Sequence, residues 1–139
     1  MIDYTYLHGV KDLCQKYGAL LIFDEVQCGL GRTGKLFAYE HSGVAPDIMT
    51  LAKALGGGVA IGALVAREEV ASAFNPGDHA STFGGNPLAA AAGVAALSAI
   101  LEEGLVSNSD RMGEVMAQGL QGFRTKYSFA AEVRGLGLI

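Results

Sequence analysis

The chain has 139 residues, of which 50% are hydrophobic and only 17% are charged. A chain with so much apolar surface and so little charge collapses instead of staying extended, which excludes a disordered tail or a charged linker. The formal net charge is −4, and the Lys and Arg residues are scattered along the chain. Without a basic patch, we expect neither nucleic acid nor a membrane as a partner.

The surplus of apolar residues also bears on the size of the folded unit. A single domain of this length buries about two-thirds of its unfolded surface, and its outside is normally more polar than this sequence allows. Residues 130–139 form an apolar run that ends without a turn or a polar tail. We therefore expect either a large subunit interface or a piece of a longer polypeptide.

Cys14 and Cys28 are too few for a disulfide framework and lack CxxC spacing, which fits a reducing compartment. The first residues lack the segments of a signal peptide, and no apolar run reaches the roughly 18 residues of a membrane span. We therefore expect a cytoplasmic protein. The three histidines match no metal-ligand spacing, so we expect no metal.

The N-terminal part is predicted to be a helix followed by a buried strand. Apolar residues recur at steps of three and four from Leu7 to Tyr17, Thr5 is a candidate N-cap, and Gly18 is a candidate stop. Residues 19–23 are a short unbroken apolar run, the pattern of a strand buried on both faces. Together they predict an α/β unit.

The middle of the chain also predicts an α/β arrangement. Further strands are predicted at 47–51 and 60–66, followed by a short helix at 67–74. Most of the turn-forming residues then fall in a loop over 75–87.

The C-terminal part is predicted to be mainly helical. Pro87 suits the first turn of a helix, which the alanine-rich residues 88–103 continue. Ser107 or Asn108 is predicted to cap the next helix. The apolar run 130–139 predicts a final strand.

Gly29, Gly31 and Gly34 spell G-x-G-x-x-G after a predicted strand, as in a dinucleotide-binding turn. That motif also needs its glycines at the strand end and a helix directly after them, whereas residues 24–27 intervene and no helical period follows. Asp47 lies near the distance expected for a ribose-binding acid, yet it precedes a strand instead of ending one. An NAD(P)-binding Rossmann domain is therefore the alternative from a different functional class.

Asp24 and Lys53 are the leading candidates for chemistry. Each follows a predicted strand, and the carboxyl ends of parallel strands meet at the edge where α/β folds bind ligands. Small apolar residues and three glycines surround Lys53, which we expect to desolvate its amine and make it nucleophilic. A carboxylate and an amine facing one crevice form either a simple ion pair or the two ends of a pyridoxal phosphate site.

The segment STFGGNP at 81–87 is a third candidate. Small hydroxyl residues and glycines ahead of a helix N-terminus are typical of a phosphate site. The alternative is that Ser81 or Thr82 caps the helix, but Pro87 already begins that helix five residues after Thr82.

Four segments together resemble the class III pyridoxal phosphate-dependent aminotransferases. They are DEVQCGLGRTG at 24–34, PDI at 46–48, LAKALGGG at 51–58 and STFGGNPL at 81–88. The resemblance covers nearly the whole chain in the family's order and spacing, so it is far more specific than any single motif.

The resemblance implies an α/β fold that is part of a fold-type I transferase. Residues 1–86 would be the C-terminal half of the large cofactor-binding domain, a three-layer unit with a mainly parallel sheet. Residues 87–139 would be the long connecting helix and the start of the small C-terminal domain.

The resemblance also implies roles for individual residues. Lys53 would form the Schiff base with pyridoxal phosphate and move the proton between substrate and cofactor. Asp24 would hold the pyridine nitrogen, Val26 would lie against a ring face, and Gln27 would bind near the phenolic oxygen. Glu25 lies in the same cofactor-binding segment, and we expect a structural role for it before a catalytic one.

Further implications concern a second subunit. Thr82 would bind the cofactor phosphate of the neighbouring subunit in a homodimer, and Ser81 would lie beside it near the substrate. The family's phosphate loop, ring-stacking aromatic residue and substrate arginine have no counterpart in this chain. We therefore expect the chain alone to bind the cofactor weakly and to show no measurable transamination.

The implied reaction is transfer of the side-chain amino group of N2-acetyl-L-ornithine to 2-oxoglutarate, a step of arginine biosynthesis. Ornithine, 4-aminobutyrate and succinylornithine stay open as alternative amino donors, because the residues that select the donor lie mostly outside this chain.

Overall fold

The computed structural model describes residues 3–139, which form an α/β fold. Its helices are α1 (Tyr4–Tyr17), α2 (Glu68–Ala71), α3 (Pro87–Glu102) and α4 (Leu105–Lys126), with 3-10 turns at Ala38–His41 and Lys53–Gly56. Its strands are β1 (Ile22–Asp24), β2 (Ile48–Leu51) and β3 (Ala63–Ala66). The predicted helices and the first three predicted strands are all present, although each strand is shorter than its apolar run.

Helix α1 is fixed at both ends by hydrogen bonds that the sequence encodes locally. Asp3, not Thr5, is the N-cap, because its carboxylate accepts a hydrogen bond from the Thr5 amide at 2.9 Å. Gly18 adopts φ +64°, and the next amide, of Ala19, donates to the Cys14 carbonyl at 2.9 Å. The predicted stop at Gly18 is confirmed, since only glycine reaches this left-handed geometry at little cost.

The three strands form one mixed sheet in the order β1-β2-β3. Strands β1 and β2 are parallel, with Asp24 opposite Thr50, and β2 and β3 are antiparallel, with Leu51 opposite Ala63. The connection from β2 to β3 holds only a 3-10 turn and is too short for the crossover that a parallel pair needs. The parallel pair brings the carboxyl ends of β1 and β2 to one edge.

The start of α3 follows the prediction and the start of α4 does not. The Asn86 side chain accepts a hydrogen bond from the Ala89 amide at 2.9 Å, which leaves Pro87 as the first helical residue. Gly104 has φ +69° and is itself the N-cap of α4. Ser107 therefore lies inside the first turn, where its hydroxyl donates to the Gly104 carbonyl at 2.9 Å, and the predicted cap at Ser107 or Asn108 is wrong.

The strand predicted at 130–139 is also wrong. These residues are irregular, with a turn in which the Leu136 amide donates to the Ile139 carbonyl at 3.0 Å and Gly137 adopts φ +56°. The Leu138 amide bonds to the Arg32 carbonyl at 2.9 Å. This bond and the left-handed Gly137 hold the segment in place, but they do not form the repeated backbone hydrogen bonds that a strand needs.

The chain buries little of its apolar surface on itself. The solvent-accessible surface is 9416 Å², whereas a compact monomer of this mass exposes about 6,800 Å². Among residues 3–139 the buried apolar residues are few: Leu21, Leu30, Val44, Met49, Leu51 and Ala89. Large apolar residues of α3, such as Leu88 and Val94, face outward, so this surface fits an interior that other polypeptide covers.

Within residues 3–139, no single helix combines the length and apolar character needed to cross a membrane. Helices α3 and α4 meet these criteria of length and composition only when taken together, and they are bent by 63° relative to each other.

Candidate active site

Asp24 and Lys53 lie at the same edge of the sheet, as predicted. Asp24 is the last residue of β1, and Lys53 begins the 3-10 turn that follows β2. Lys53 has φ +48°, in the left-handed region. That geometry costs a residue with a Cβ about 1–2 kcal/mol, and such residues cluster at functional sites.

Lys53 borders a cavity of about 380 Å³. Its Nζ donates a hydrogen bond to the Gln27 Oε1 at 3.3 Å, and Val26 lies on the same cavity. The structure thus brings together three of the residues predicted from the sequence. The cavity is completed by Gly29, Arg32, Ala54, Leu138 and Ile139.

Sequence reasoning missed two members of this lining, Leu138 and Ile139. They come from the segment that was predicted to be a strand, more than eighty residues beyond Lys53. No local pattern signals such a contact, because it depends on how α4 packs on the turn that contains Arg32.

The Asp24 carboxylate is held in place and leaves one oxygen open. Its Oδ1 accepts a hydrogen bond from the Val26 amide at 2.9 Å. Its Oδ2 has no hydrogen-bond partner among residues 3–139, and the residue is exposed. Asp24 is not among the residues that line the cavity, although only Glu25 separates it from the lining residue Val26.

The amine of Lys53 is not desolvated as the sequence predicted. Lys53 is exposed, because its small neighbours form a thin turn instead of walls around the side chain. The cavity is bordered only by residues of the segments 26–32, 53–54 and 138–139. The desolvation expectation is therefore wrong for the residues that the structure describes.

Glu25 is buried and faces away from the cavity. Only 3% of the residue is exposed. Its Oε2 accepts a hydrogen bond from the Ala38 amide at 2.9 Å, and its Oε1 accepts one from the Tyr39 amide at 2.8 Å. The carboxylate therefore fastens the Ala38–His41 turn to the end of β1. This structural role is the one that its contacts support, and no cofactor-binding role follows from them.

Cys28 completes the surroundings of this buried carboxylate. Its Sγ lies 3.4 Å from the Glu25 Oε2 and donates to it. Burial, together with the negative charge of Glu25, raises the pKa of the Cys28 thiol from 9.0 to about 11. The thiol is therefore neutral near pH 7, which makes it a poor nucleophile.

The dinucleotide-binding alternative for the glycine segment is not supported. Residues 26–33 form consecutive turns, and no α-helix directly follows them. The Gly31 amide is bonded to the Leu36 carbonyl at 3.0 Å, and the Gly34 amide to the Gly31 carbonyl at 3.1 Å. A Cβ on Gly34 would lie 2.9 Å from the Asp110 Cβ of α4. These glycines serve close packing, and their amides are not turned toward a phosphate.

Asp47, the acid considered for a ribose contact, has a structural role instead. Its carboxylate accepts hydrogen bonds from the Leu21 amide at 2.8 Å, the Lys11 Nζ at 3.2 Å and the Arg67 Nη1 at 3.0 Å. These partners hold the pKa of Asp47 below its usual value, with the Leu21 amide as the main cause. The residue ties α1 and the residue before α2 to the sheet.

Ser81 and Thr82 lie in the exposed loop before α3 and border no part of the Lys53 cavity. Neither caps the helix, since Asn86 does so. The Ser81 carbonyl accepts a hydrogen bond from the Gly84 amide at 3.4 Å. Within this chain, the structure therefore does not bring the two hydroxyls together with Lys53.

Residues 3–139 contain no group of three or more His, Cys, Asp and Glu side chains placed to hold a metal ion.

Comparison with known proteins places this geometry in context. The family model described as aminotransferase class-III matches residues 1–139. The chain is 54% identical over 137 residues to an acetylornithine aminotransferase of Methanocaldococcus jannaschii, covering 99% of this chain and 34% of that protein. The chain thus spans about a third of the length of the curated relatives it matches.

Solved structures of similar proteins share the fold. The ornithine δ-aminotransferase of Plasmodium falciparum superposes with a TM-score of 0.89 and 47% identity, over 98% of this chain and 35% of that one. The acetylornithine aminotransferase of Elizabethkingia anophelis gives a TM-score of 0.91 and 40% identity, over 98% of this chain and 34% of that one. The fold predicted from the sequence, part of a fold-type I transferase, is confirmed.

Proposed function

Since this chain belongs to the class III aminotransferases, a pyridoxal phosphate-dependent family, we propose that it supplies the lysine-bearing part of such an enzyme's active site. The main support is the geometry of Lys53. Its backbone is strained, and its amine donates a hydrogen bond to Gln27 beside a cavity at the carboxyl edge of the sheet. No Rossmann site competes with it, because the glycine segment is closed by its own turns.

The residues present fit pyridoxal phosphate by their chemistry. The cavity offers an amine from Lys53, an amide from Gln27 and an apolar side chain from Val26. Next to it, Asp24 has a carboxylate oxygen without a partner among residues 3–139, suited to a protonated ring nitrogen. When bound, the cofactor supplies an aldehyde that a lysine amine attacks and a ring that withdraws electrons from the substrate carbon.

Each residue then has a defined task. Lys53 provides the nucleophilic nitrogen, and the same Nζ carries a proton to and from the reacting carbon. Gln27 orients that nitrogen by accepting its hydrogen bond at 3.3 Å. The left-handed backbone of Lys53 fixes where the side chain leaves the turn, and Asp24 keeps the ring nitrogen protonated by its negative charge.

For the reaction, we propose transfer of the side-chain amino group of N2-acetyl-L-ornithine to 2-oxoglutarate. The support is that the M. jannaschii relative at 54% identity is named acetylornithine aminotransferase. Ornithine is the second candidate donor, because structures with similar superposition are named ornithine aminotransferases. The chain covers only about a third of these proteins.

The proposed assembly is a homodimer in which Thr82 binds the cofactor phosphate of the neighbouring subunit and Ser81 lies near the substrate. Two features support it: both residues lie in an exposed loop, and the chain exposes far more surface than a compact monomer. The proposed location is the cytoplasm, which the cysteine usage favours.

Reductive trapping tests the lysine assignment. The 139-residue chain is compared with a chimera in which it replaces the aligned third of the M. jannaschii relative. Each is treated with pyridoxal phosphate and borohydride, and the labelled residue is mapped by mass spectrometry. We expect the label on Lys53 in the chimera, weak labelling of the chain alone, and no transamination by the chain alone.

Lys53→Ala in the chimera should abolish the specific label and lower transamination at least about a thousandfold, because the nucleophile and proton carrier are lost together. Lys35→Ala is the control, since Lys35 is also exposed but does not border the cavity. A label that stays on another lysine, or equal rates for the two variants, would overturn the assignment.

The donor is tested by placing the chain in two hosts. Because the host supplies most of the donor-selecting residues, the ratio of kcat/KM for N2-acetyl-L-ornithine over ornithine is compared between each chimera and its own parent. We expect the chain to shift this ratio toward N2-acetyl-L-ornithine in the P. falciparum host and to leave it unchanged in the M. jannaschii host. A shift toward ornithine in the M. jannaschii host would favour ornithine.

A further inference from the structure

Two glycines bring three distant segments into backbone contact. A Cβ added to Gly113 of α4 would collide with the backbone of Gly137, with its Cα at 2.6 Å. A Cβ added to Gly137 would in turn lie 2.6 Å from the Arg32 carbonyl oxygen and 2.8 Å from the Thr33 Cα. Real Cβ atoms do not approach backbone this closely, so both positions admit only glycine without a shift.

Hydrogen bonds fasten the same three segments. The Arg32 carbonyl accepts one bond from the Ser109 hydroxyl of α4 at 2.8 Å and another from the Leu138 amide at 2.9 Å. Ser109 is 6% exposed, so its bond is protected from water. One carbonyl oxygen of the glycine segment therefore holds both α4 and the chain around Leu138.

This arrangement determines what faces Lys53. With Leu138 tied to Arg32, residues Leu138 and Ile139 border the 380 Å³ cavity. Together with Val26 and Ala54, they are the residues with apolar side chains in its lining. They supply one wall of a cavity whose polar groups come from Gln27, Arg32 and Lys53.

We propose that Leu138 and Ile139 form an apolar wall against which pyridoxal phosphate packs, and that Gly113 and Gly137 are positioning residues that hold this wall in place. The wall depends on the proposed function for the identity of its ligand. The glycine contact depends only on the structure, so the two parts are tested by separate measurements.

Hydrogen exchange on the 139-residue chain tests the glycine contact. Gly113→Ala should displace Gly137 and break the bond from Leu138 to Arg32, so exchange of the Leu138 amide should rise at least about tenfold. Gly119→Ala is the matched control, because Gly119 lies in the same helix with nothing within 4 Å of an added Cβ. Equal exchange at Leu138 in both variants would overturn the positioning role.

Cofactor titration of the chimera tests the wall. Leu138→Ala should raise the dissociation constant of pyridoxal phosphate about three- to tenfold, as expected for losing part of one apolar contact. Leu136→Ala is the control, because Leu136 is half-buried in the same segment and does not border this cavity. We expect less than about a twofold change for it, at a similar loss of thermal stability.

The outcomes separate the two proposals. Equal cofactor affinities for Leu138→Ala and Leu136→Ala would refute the wall while leaving the lysine assignment intact. Failure of the unsubstituted chimera to bind pyridoxal phosphate would refute the proposed function and the wall together. The exchange experiment would still decide the role of Gly113.

Discussion

The glycine segment 24–34 and the loop 72–86 both carry predicted site residues, yet they are held in opposite ways. In the first, a buried carboxylate at Glu25 binds two backbone amides, and the carbonyl of Arg32 accepts two hydrogen bonds from distant segments. In the second, every residue up to Gly85 is exposed. The loop's hydrogen bonds are local, such as that from the Asn86 side chain to the Phe83 carbonyl at 2.8 Å.

This difference separates the residues that the chain holds in place by its own contacts from the residues that it leaves exposed. The turn that contains Val26 and Gln27 is fixed by contacts within residues 3–139, so this chain holds the Lys53 side of the proposed site in place. The loop with Ser81 and Thr82 has an exposed aromatic residue next to it, Phe83, at 79% exposure. An exposed phenyl ring beside two hydroxyls fits a surface that another polypeptide covers.

The largest effect on stability is expected where the glycine segment meets α4. Gly34→Ala should lower the free energy of unfolding by about 3–5 kcal/mol, since it combines left-handed strain with overpacking against Asp110. Gly43→Ala has the same strain, at φ +70°, but open space around its added Cβ, and should cost about 1–2 kcal/mol. Urea unfolding measures both, and equal losses would show that the segment is not pinned by α4.

A smaller effect is expected from the buried carboxylate. Glu25→Gln turns an amide NH2 toward a backbone N–H and should lower the free energy of unfolding by about 1–3 kcal/mol. Glu40→Gln is the control, because this exposed side chain accepts one bond, from the Phe37 amide at 2.8 Å, which glutamine keeps. A change above about 0.5 kcal/mol for Glu40→Gln would mean that charge in general, and not burial, stabilises this region.

The effect of Glu25→Gln can also be measured at Cys28. With its pKa at about 11, Cys28 should react with iodoacetamide at pH 8 about a hundredfold more slowly than an ordinary thiol. In the Glu25→Gln variant the Cys28 thiol stays buried but loses the neighbouring negative charge. Its pKa should therefore fall, and its alkylation should be faster. Because the folded-state pKa is raised, the stability contributed by this thiol is present below pH 9 and lost as the pH rises toward 11.

The sequence predicts those features whose causes are local. Gly18 ends a helix because of its own backbone freedom, and Pro87 begins one because its missing N–H costs nothing there. Asp24 and Lys53 share an edge because Asp24 ends one strand of a parallel pair and Lys53 closely follows the other. Such features depend on a few neighbouring residues, so the sequence displays them.

Features that depend on distant packing were missed. The contact between Gly113 and Gly137 joins a helix to an irregular segment, and nothing in either stretch marks the other as its partner. The run 130–139 has the composition of a strand, but Arg32 offers it a single backbone acceptor. The exposure of Lys53 was likewise missed, since small neighbours indicate a tight turn as readily as a desolvated pocket.

The smallest effect on stability is expected in the exposed loop, and there it should be paired with a distinct effect on the cofactor. Thr82→Ala should change the free energy of unfolding of the 139-residue chain by less than about 0.5 kcal/mol. In the dimeric chimera it should weaken pyridoxal phosphate binding about tenfold, the cost of one hydrogen bond to a charged phosphate.

Thr125→Ala is the control, an exposed threonine of α4 whose hydroxyl donates to the carbonyl of Gly122 in the same helix, at 3.0 Å. It should leave cofactor affinity unchanged. If Thr82→Ala destabilised the chain itself, the loop would be held by contacts within the chain, and the contrast with the glycine segment would fail. If it changed neither stability nor affinity, the neighbouring subunit's phosphate would not be the partner of this loop.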